Sequence, residues 1–451
     1  MPVSKIDNLL GIEVYATKSK GIGGIIREDV EDFVVEEILV DGSKATVNDT
    51  CQGRVLNSIS KRQHFLVCVL VKRNWDTFIA VKNIAKALGV EQGSIQFAGI
   101  KDAKAITAQF ITIENISIDD VKKVSIKDVT LNPLGYFHDR LSLFYLLGNS
   151  FTIVIKNNFM DQIETKEALT QTMNELDTFG GIPNFFGHQR FGTTRPITHL
   201  VGKAISQGNF QEAAMLFLAK DSPFEHSDSR KVRQELQVSK DFKQALKSFP
   251  KQLRFERLMI NHLVEKPNDY VGAFKRLPLK LQALFVQAHQ SYLFNRFLSQ
   301  RLKHGLHLNK AIAGDFVLGV DRSGLPLNTM VKTVNDENLD KTNEEIKRGK
   351  IRIALPIFGA KQKLSKGFMG EIERDVLSTE ELSEEPPYLN ELSRIGGKGG
   401  LRALVAPVCD FKFHELLENS INVQFMLFRG CYATILLREI IKPYDPIISG
   451  F

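Results

Sequence analysis

Hydrophobic residues along the first 180 positions come in short runs separated by turn chemistry. Phe33-Val34-Val35-Glu36-Glu37-Ile38 follows a glycine turn at 21–24 and has the β-branched and aromatic content of a strand. Residues 65–71 are apolar throughout, which predicts a central strand ended by Lys72-Arg73-Asn74. Asp76 then stands as the N-cap of a helix over 77–88. Phe78, Val81, Ala85 and Leu88 are its apolar stripe, and Gly89 stops it. A short strand at 95–98 leads into a loop over 99–104. Residues 109–113 and 151–155 alternate like further strands, and a helix over 163–179 closes at Gly180-Gly181. Strands of this kind interleaved with helices predict an α+β arrangement.

The pattern changes near residue 195. Long helical stretches dominate from about 199 to 404, including 279–304 with Leu281, Leu284, Phe285, Ala288, Tyr292 and Phe294 near one face. Residues 335–350 are polar and charged and read as an exposed excursion. Ser383-Glu384-Glu385-Pro386-Pro387 reads as a loop or linker. Strand-like alternation returns at 423–427 and turns at Arg429-Gly430. The C-terminal piece thus matches the N-terminal part better than the middle, and we expect a domain inserted into a discontinuous one: 1–194 and 406–451 around 195–405. No repeat of fixed period is visible.

Composition narrows the chemistry. The 451 residues are 43% hydrophobic and 25% charged, ordinary for globular chains. A net charge of +7 is compatible with a nucleic-acid partner without requiring one. Cys51, Cys68, Cys409 and Cys431 form no CxxC pair, which removes the zinc and thioredoxin readings. His304 and His307 have no neighbouring carboxylate to complete a metal site. Residues 1–10 are polar and mixed, and the longest apolar run, 65–71, is too short for a bilayer. We therefore expect a soluble cytoplasmic protein with no membrane association.

Three segments carry candidate chemistry. In Gly99-Ile100-Lys101-Asp102-Ala103-Lys104 a strand delivers one carboxylate between two lysines. Flanking cations hold such a group ionised, as a nucleophile or base requires, although a solvated Lys-Asp-Lys turn has the same sequence. Asn184-Phe185-Phe186-Gly187-His188-Gln189-Arg190-Phe191-Gly192 combines aromatic faces with amides and a guanidinium. That set suits stacked bases and phosphates, and equally a buried aromatic turn. Arg394-Ile395-Gly396-Gly397-Lys398-Gly399-Gly400-Leu401-Arg402 is a glycine-rich basic loop without the Lys-Ser/Thr ending of a Walker loop. It reads as a phosphate cradle or as a flexible connection.

Taken in order, these segments resemble the TruD family of tRNA pseudouridine synthases. The resemblance starts with Arg27 and Asp32-Phe33-Val34-Val35-Glu36. It continues through Gly99-x-Lys101-Asp102 with Thr107-x-Gln109, Gly148-Asn149-Ser150-Phe151-Thr152, and Asn184-Phe185-Phe186-Gly187-x-Gln189-Arg190-Phe191-Gly192. Gln290-Ser291-Tyr292-Leu293-Phe294-Asn295, Gly314-Asp315, and Arg429-Gly430-Cys431-Tyr432-Ala433-Thr434 through Arg438-Glu439 complete it. The resemblance spans nearly the whole chain, and its length is that of archaeal or eukaryotic members rather than compact bacterial ones. It implies a pseudouridine-synthase fold, a mixed sheet with helices, carrying an inserted α/β TRUD domain. The implied activity is isomerisation of uridine to pseudouridine at position 13 of tRNA, in the D arm, without metal or cofactor and without an obligatory protein partner, by a monomer.

The resemblance also assigns residues. It makes Asp102 the catalytic aspartate, attacking C1′ or abstracting a sugar proton. Arg27 becomes its basic partner, Tyr432 the ring that packs on the target base, and Phe33, Asn184 and Phe186 the pocket or loop supports. Lys101, Arg190 and Arg402 become further substrate contacts, Arg402 through a phosphate. Phe185 stands where tyrosine is frequent, sparing stacking and removing a hydroxyl. Two competing readings remain at this stage. A catalytically silent RNA-binding or tRNA-folding protein on the same fold has no need of Asp102. An unrelated carboxylate enzyme needs a metal cluster or a phosphate loop, and neither is visible.

Overall fold

A computed structural model describes residues 2–48, 51–53, 55–158, 160–384, 395–416 and 420–451. The linker read at 383–387 runs out of the described residues after 384, and Arg394 of the glycine-rich loop lies outside them.

The strand Phe33–Leu39 buries Phe33, Val35, Glu37 and Leu39 on one face, as period-two alternation requires. It is the fourth of seven main strands, in the order Val408–Leu416, Ser420–Phe428, Leu146–Ile155, Phe33–Leu39, Ile106–Glu114, Phe65–Arg73 and Val129–Phe137. Three short strands bring the sheet to ten. All main neighbours run antiparallel except Phe33–Leu39 and Ile106–Glu114, which run parallel with Val34 opposite Ile106. That pairing sets the starts of the two strands side by side. The segments leading into them, 27–32 and 99–105, consequently adjoin in space although they are far apart in sequence.

The strand Phe65–Arg73, expected to be central, is the sixth of the seven; it continues two residues past its expected end, and Lys72 is fully buried within it. The helix Thr77–Leu88 begins on Asp76, whose side chain accepts from the Phe78 and Ile79 amides, and ends on Gly89 at φ +67. Its buried face is Thr77, Ala80, Val81, Ile84 and Ala85. Phe78, expected in the stripe, is 49% exposed, because it lies one position round from the buried stripe of Thr77, Ala80, Val81 and Ile84; its ring meets Phe97 edge-on.

Between residues 198 and 303 the chain is helical: Thr198–Ser206, Phe210–Ala219, Ser227–Ser239, Phe242–Ser248, Arg254–Glu265 and Tyr270–Lys275 surround the start of Leu279–Lys303. That last helix is buried almost all round. Phe285 and Val286 join the helical cluster, whereas Leu293, Phe294, Phe297 and Leu298 join the main core. Helical reading missed a four-stranded antiparallel sheet in the order Pro326–Thr333, Phe316–Val320, Ile351–Ile357 and Gly400–Ala403. Its outer strand is exposed and polar, so it lacks the apolar run that marks a buried strand. Residues 335–350 contain the helix Leu339–Lys347. Among the described residues no helix is long and apolar enough to cross a membrane, and no group of three or more His, Cys, Asp or Glu could hold a metal.

Candidate active site

After the short strand Ile95–Phe97 the chain crosses the sheet face as the 98–105 loop and returns as Ile106–Glu114. Several side chains fix this loop from below. The Gln109 amide donates to the Gly99 carbonyl at 3.0 Å, and the Lys101 amide donates to Thr77 Oγ1 at 3.2 Å. Lys72 Nζ donates to the Asp102 carbonyl at 2.6 Å and to the Trp75 carbonyl at 2.7 Å. Lys101 Nζ pairs with Glu37 Oε1 at 2.7 Å, both side chains essentially unexposed, while Glu37 Oε2 accepts from the Phe110 amide at 2.8 Å. The Lys101 ammonium is therefore paired with Glu37 and not with Asp102. Lys104 is exposed.

The cation beside Asp102 comes from elsewhere. Arg27 Nη2 meets Asp102 Oδ1 at 2.9 Å, and the same oxygen accepts from Gln189 Nε2 at 2.8 Å. Arg27 lies 3.9 Å over the Phe33 ring with its side chain 9% exposed, and its backbone sits at φ +58. Burial lowers the pKa of its guanidinium and the Asp102 charge pushes back. Arg27 thus stands between an aromatic face and a carboxylate, a setting that rewards a planar cation. Among the described residues no hydrogen bond is made to Asp102 Oδ2.

Lys72 carries a pH prediction. Burial pushes its pKa down to about 8, against the pull of Asp102 and Asp76. Below that pH a full cation grips the Asp102 carbonyl; above it the charge is lost, and with it about half the strength of a charge-assisted bond. A turnover profile that falls as pH rises through about 8, with the limb displaced upward in Lys72→Arg, is the expected result. A profile flat to pH 9, or a limb unmoved in Lys72→Arg, contradicts it.

A cavity of about 240 Å³ opens above this loop, with Arg27, Phe33, Asp102, Asn149, Phe151, Gln189, Tyr432 and Thr434 among its walls. Tyr432 is the N-cap of the helix Ala433–Ile441. Its close packing against the 184–192 segment requires Gly187, where a Cβ would stand 2.8 Å from Thr434 Oγ1 and 2.9 Å from Tyr432 Cδ1. Asn149 Oδ1 and Thr434 Oγ1 are buried and have no hydrogen-bond partner among the described residues.

Behind the cavity, Asn184, Phe186, Arg190 and Arg402 form a brace. Arg402 donates to the Asn184 carbonyl at 2.9 Å, to Asn184 Oδ1 at 2.6 Å and to the Gly430 carbonyl at 2.8 Å, and lies 4.1 Å over Phe186. Asn295 bridges the Phe186 amide and carbonyl to the Leu10 carbonyl. Arg190 donates to Ser291 Oγ at 3.1 Å and Gln287 Oε1 at 3.2 Å.

A family model described as tRNA pseudouridine synthase D (TruD) matches residues 9–440. The chain belongs to the tRNA pseudouridine synthase D family. A relative of that name from Methanosarcina acetivorans is 38% identical over 99% of both chains, and one from Pyrococcus abyssi is 36% identical over 95% of this chain and 98% of its own. A crystal structure of a TruD protein from Methanosarcina mazei superposes with a TM-score of 0.82 at 36% identity, covering 98% of this chain and 99% of that one.

Within this TruD chain, Asp102, Arg27, Phe33 and Tyr432 converge on one cavity. Lys101, Asn184, Arg190 and Arg402 do not present free polar groups to it. The donors of Arg402 go to Asn184 and Gly430, because the strand Gly400–Ala403 ends beside both, so it braces the pocket instead of reaching a phosphate. Phe185 is fully buried, so the tyrosine hydroxyl it lacks bears on the core and not on base stacking. Reading by residue overlooked Lys72, Glu37, Asn149, Phe151 and Gln189 as individual contributors. Lys72 and Glu37 each interrupt a strand at a position facing the core, and a charge there was the available signal.

Proposed function

We propose that the protein isomerises uridine to pseudouridine in tRNA, at position 13 of the D arm, with Asp102 as the catalytic group. The observation that carries this reading is the Asp102 carboxylate at a base-sized cavity, clamped on one oxygen by Arg27 and Gln189, in a chain of the TruD family. The clamp fixes one carboxylate oxygen and leaves Oδ2 for the sugar. In one route Oδ2 bonds to C1′ as the C1′–N1 bond breaks and its electron pair leaves with the uracil. In the other Oδ2 takes the C2′ proton as the C1′–N1 bond breaks with its electron pair leaving on the uracil, and a glycal forms. In both, the detached uracil turns and C5 bonds to C1′, displacing Oδ2 in the first route and with Asp102 returning the proton to C2′ in the second; the C5 proton then departs and N1 gains one, so the reaction is an isomerisation with no redox change.

The uridine must leave its stack to reach Asp102. Tyr432 and Phe151 offer ring faces for the base, and the unpartnered Asn149 Oδ1 and Thr434 Oγ1 suit its hydrogen-bonding edge. We further propose that residues 195–405 act as an inserted domain forming the other wall of an RNA cleft, that the enzyme works as a monomer without a metal or cofactor, and that tRNA as substrate places it in the cytoplasm. The test is nearest-neighbour mapping of pseudouridine in tRNA transcripts incubated with the protein. Product at position 13 that disappears when that uridine is replaced by cytidine is expected. Product elsewhere only, or none, overturns the assignment.

A further inference from the structure

A phenylalanine stands in solvent at the edge of the cavity. The 3₁₀ turn Leu143–Tyr145 follows Ser142, and Leu143 and Leu146 both line the cavity. Residues i and i+3 of such a turn lie one above the other, so Phe144, the next residue, is rotated roughly 120° away from that wall. It is 83% exposed, the apolar neighbour Leu143 is 58% exposed, and Ile100 on the catalytic loop is 62% exposed. Exposed Phe of this kind is costly unless it meets something apolar.

The turn is also held in place. Arg429, another cavity residue, donates through Nη1 to the carbonyls of Leu143 and Leu146. The Tyr145 hydroxyl donates to Asp139 at 2.8 Å and its ring packs edge-on against Phe137. A Cβ at Gly99 would lie 3.3 Å from Leu146 Cδ2, so the turn abuts the catalytic loop itself. An aromatic side chain is therefore presented from a braced support at the rim of the cavity that Asp102 lines.

We propose that Phe144 is a wedge. It stacks in the gap left in the RNA by the extruded uridine and so stabilises the extruded state that delivers the base to Asp102. The inference rests on the RNA reading of the same cavity. An RNA stack is the partner whose chemistry fits: extrusion exposes the faces of two flanking bases, and a phenyl ring replaces the lost stacking without reading sequence. Phe144 touches no reacting atom and is a positioning residue.

The test uses the full-length protein with Phe144→Ala and Phe144→Trp, and two readouts. One is single-turnover tritium release from [5-³H]uridine tRNA. The other is the fluorescence of tRNA carrying 2-aminopurine beside the target uridine, which rises when that uridine leaves the stack. Phe144→Ala is expected to slow release by about 10- to 100-fold, the usual range for loss of one base–aromatic stack. It is also expected to lose the fluorescence rise while still binding tRNA, and Phe144→Trp is expected to keep both signals. Unchanged release in Phe144→Ala overturns the wedge, as does slowed release with the fluorescence rise intact, or loss of tRNA binding altogether. Absence of release by the wild-type protein would instead overturn the functional reading on which the wedge depends.

Discussion

Asparagine in place of Asp102 is expected to abolish uridine isomerisation, lowering the single-turnover rate on the order of 10³-fold or more, while tRNA affinity stays within a few-fold of wild type. The asparagine oxygen can still accept from Arg27 and Gln189, which now meet Asp102 Oδ1 at 2.9 and 2.8 Å, so the loop keeps its shape. What it loses is the carboxylate oxygen that the proposed reaction uses at C1′ or C2′. Rate and affinity should thus separate, a split that a folding defect would not produce. Single-turnover kinetics beside filter binding checks it, and a variant within tenfold of wild type would remove Asp102 from the chemistry.

The second large effect is on stability. Glu37→Ala removes both the counter-ion of Lys101 and the acceptor of the Phe110 amide, in a place with no solvent to replace them. An ammonium left unpaired at such depth costs about 3–5 kcal/mol. Chemical denaturation should show that loss, and Glu37→Ala combined with Lys101→Met should recover a large part of it, because the double change removes the stranded charge as well. A loss below about 1 kcal/mol would mean that water reaches the pair and that it does not hold the catalytic loop.

Periodicity was enough to find the elements nearest the site. The strand at 33, the apolar strand at 65 and the Asp76-capped helix were all legible, because each buries one regular face or starts on a recognisable cap. The Asp102 loop was legible as a motif, and the resemblance named Arg27 as its basic partner, which the structure sets at 2.9 Å. The flanking lysines suggested by local sequence are not that partner; Arg27 is brought in by a parallel strand pairing that local sequence does not reveal. Arg402 shows the same limit from the other direction. A basic residue after four glycines has the composition of a phosphate contact, yet the fold closes Asn184 and Gly430 around it. The sheet around Phe316–Val320 escaped because its outer strand is solvated and Phe316–Val320 itself is only five residues long.

The central claim is that this chain makes pseudouridine and that Asp102 does it. The most direct measurement is tritium release from [5-³H]uridine-labelled tRNA transcripts by the wild-type protein and Asp102→Asn in the same run. Release by the wild type alone is the predicted result. No release by the wild type across a full tRNA pool would contradict the activity and favour a silent RNA binder on the same fold, and release by both proteins would contradict the role given to Asp102.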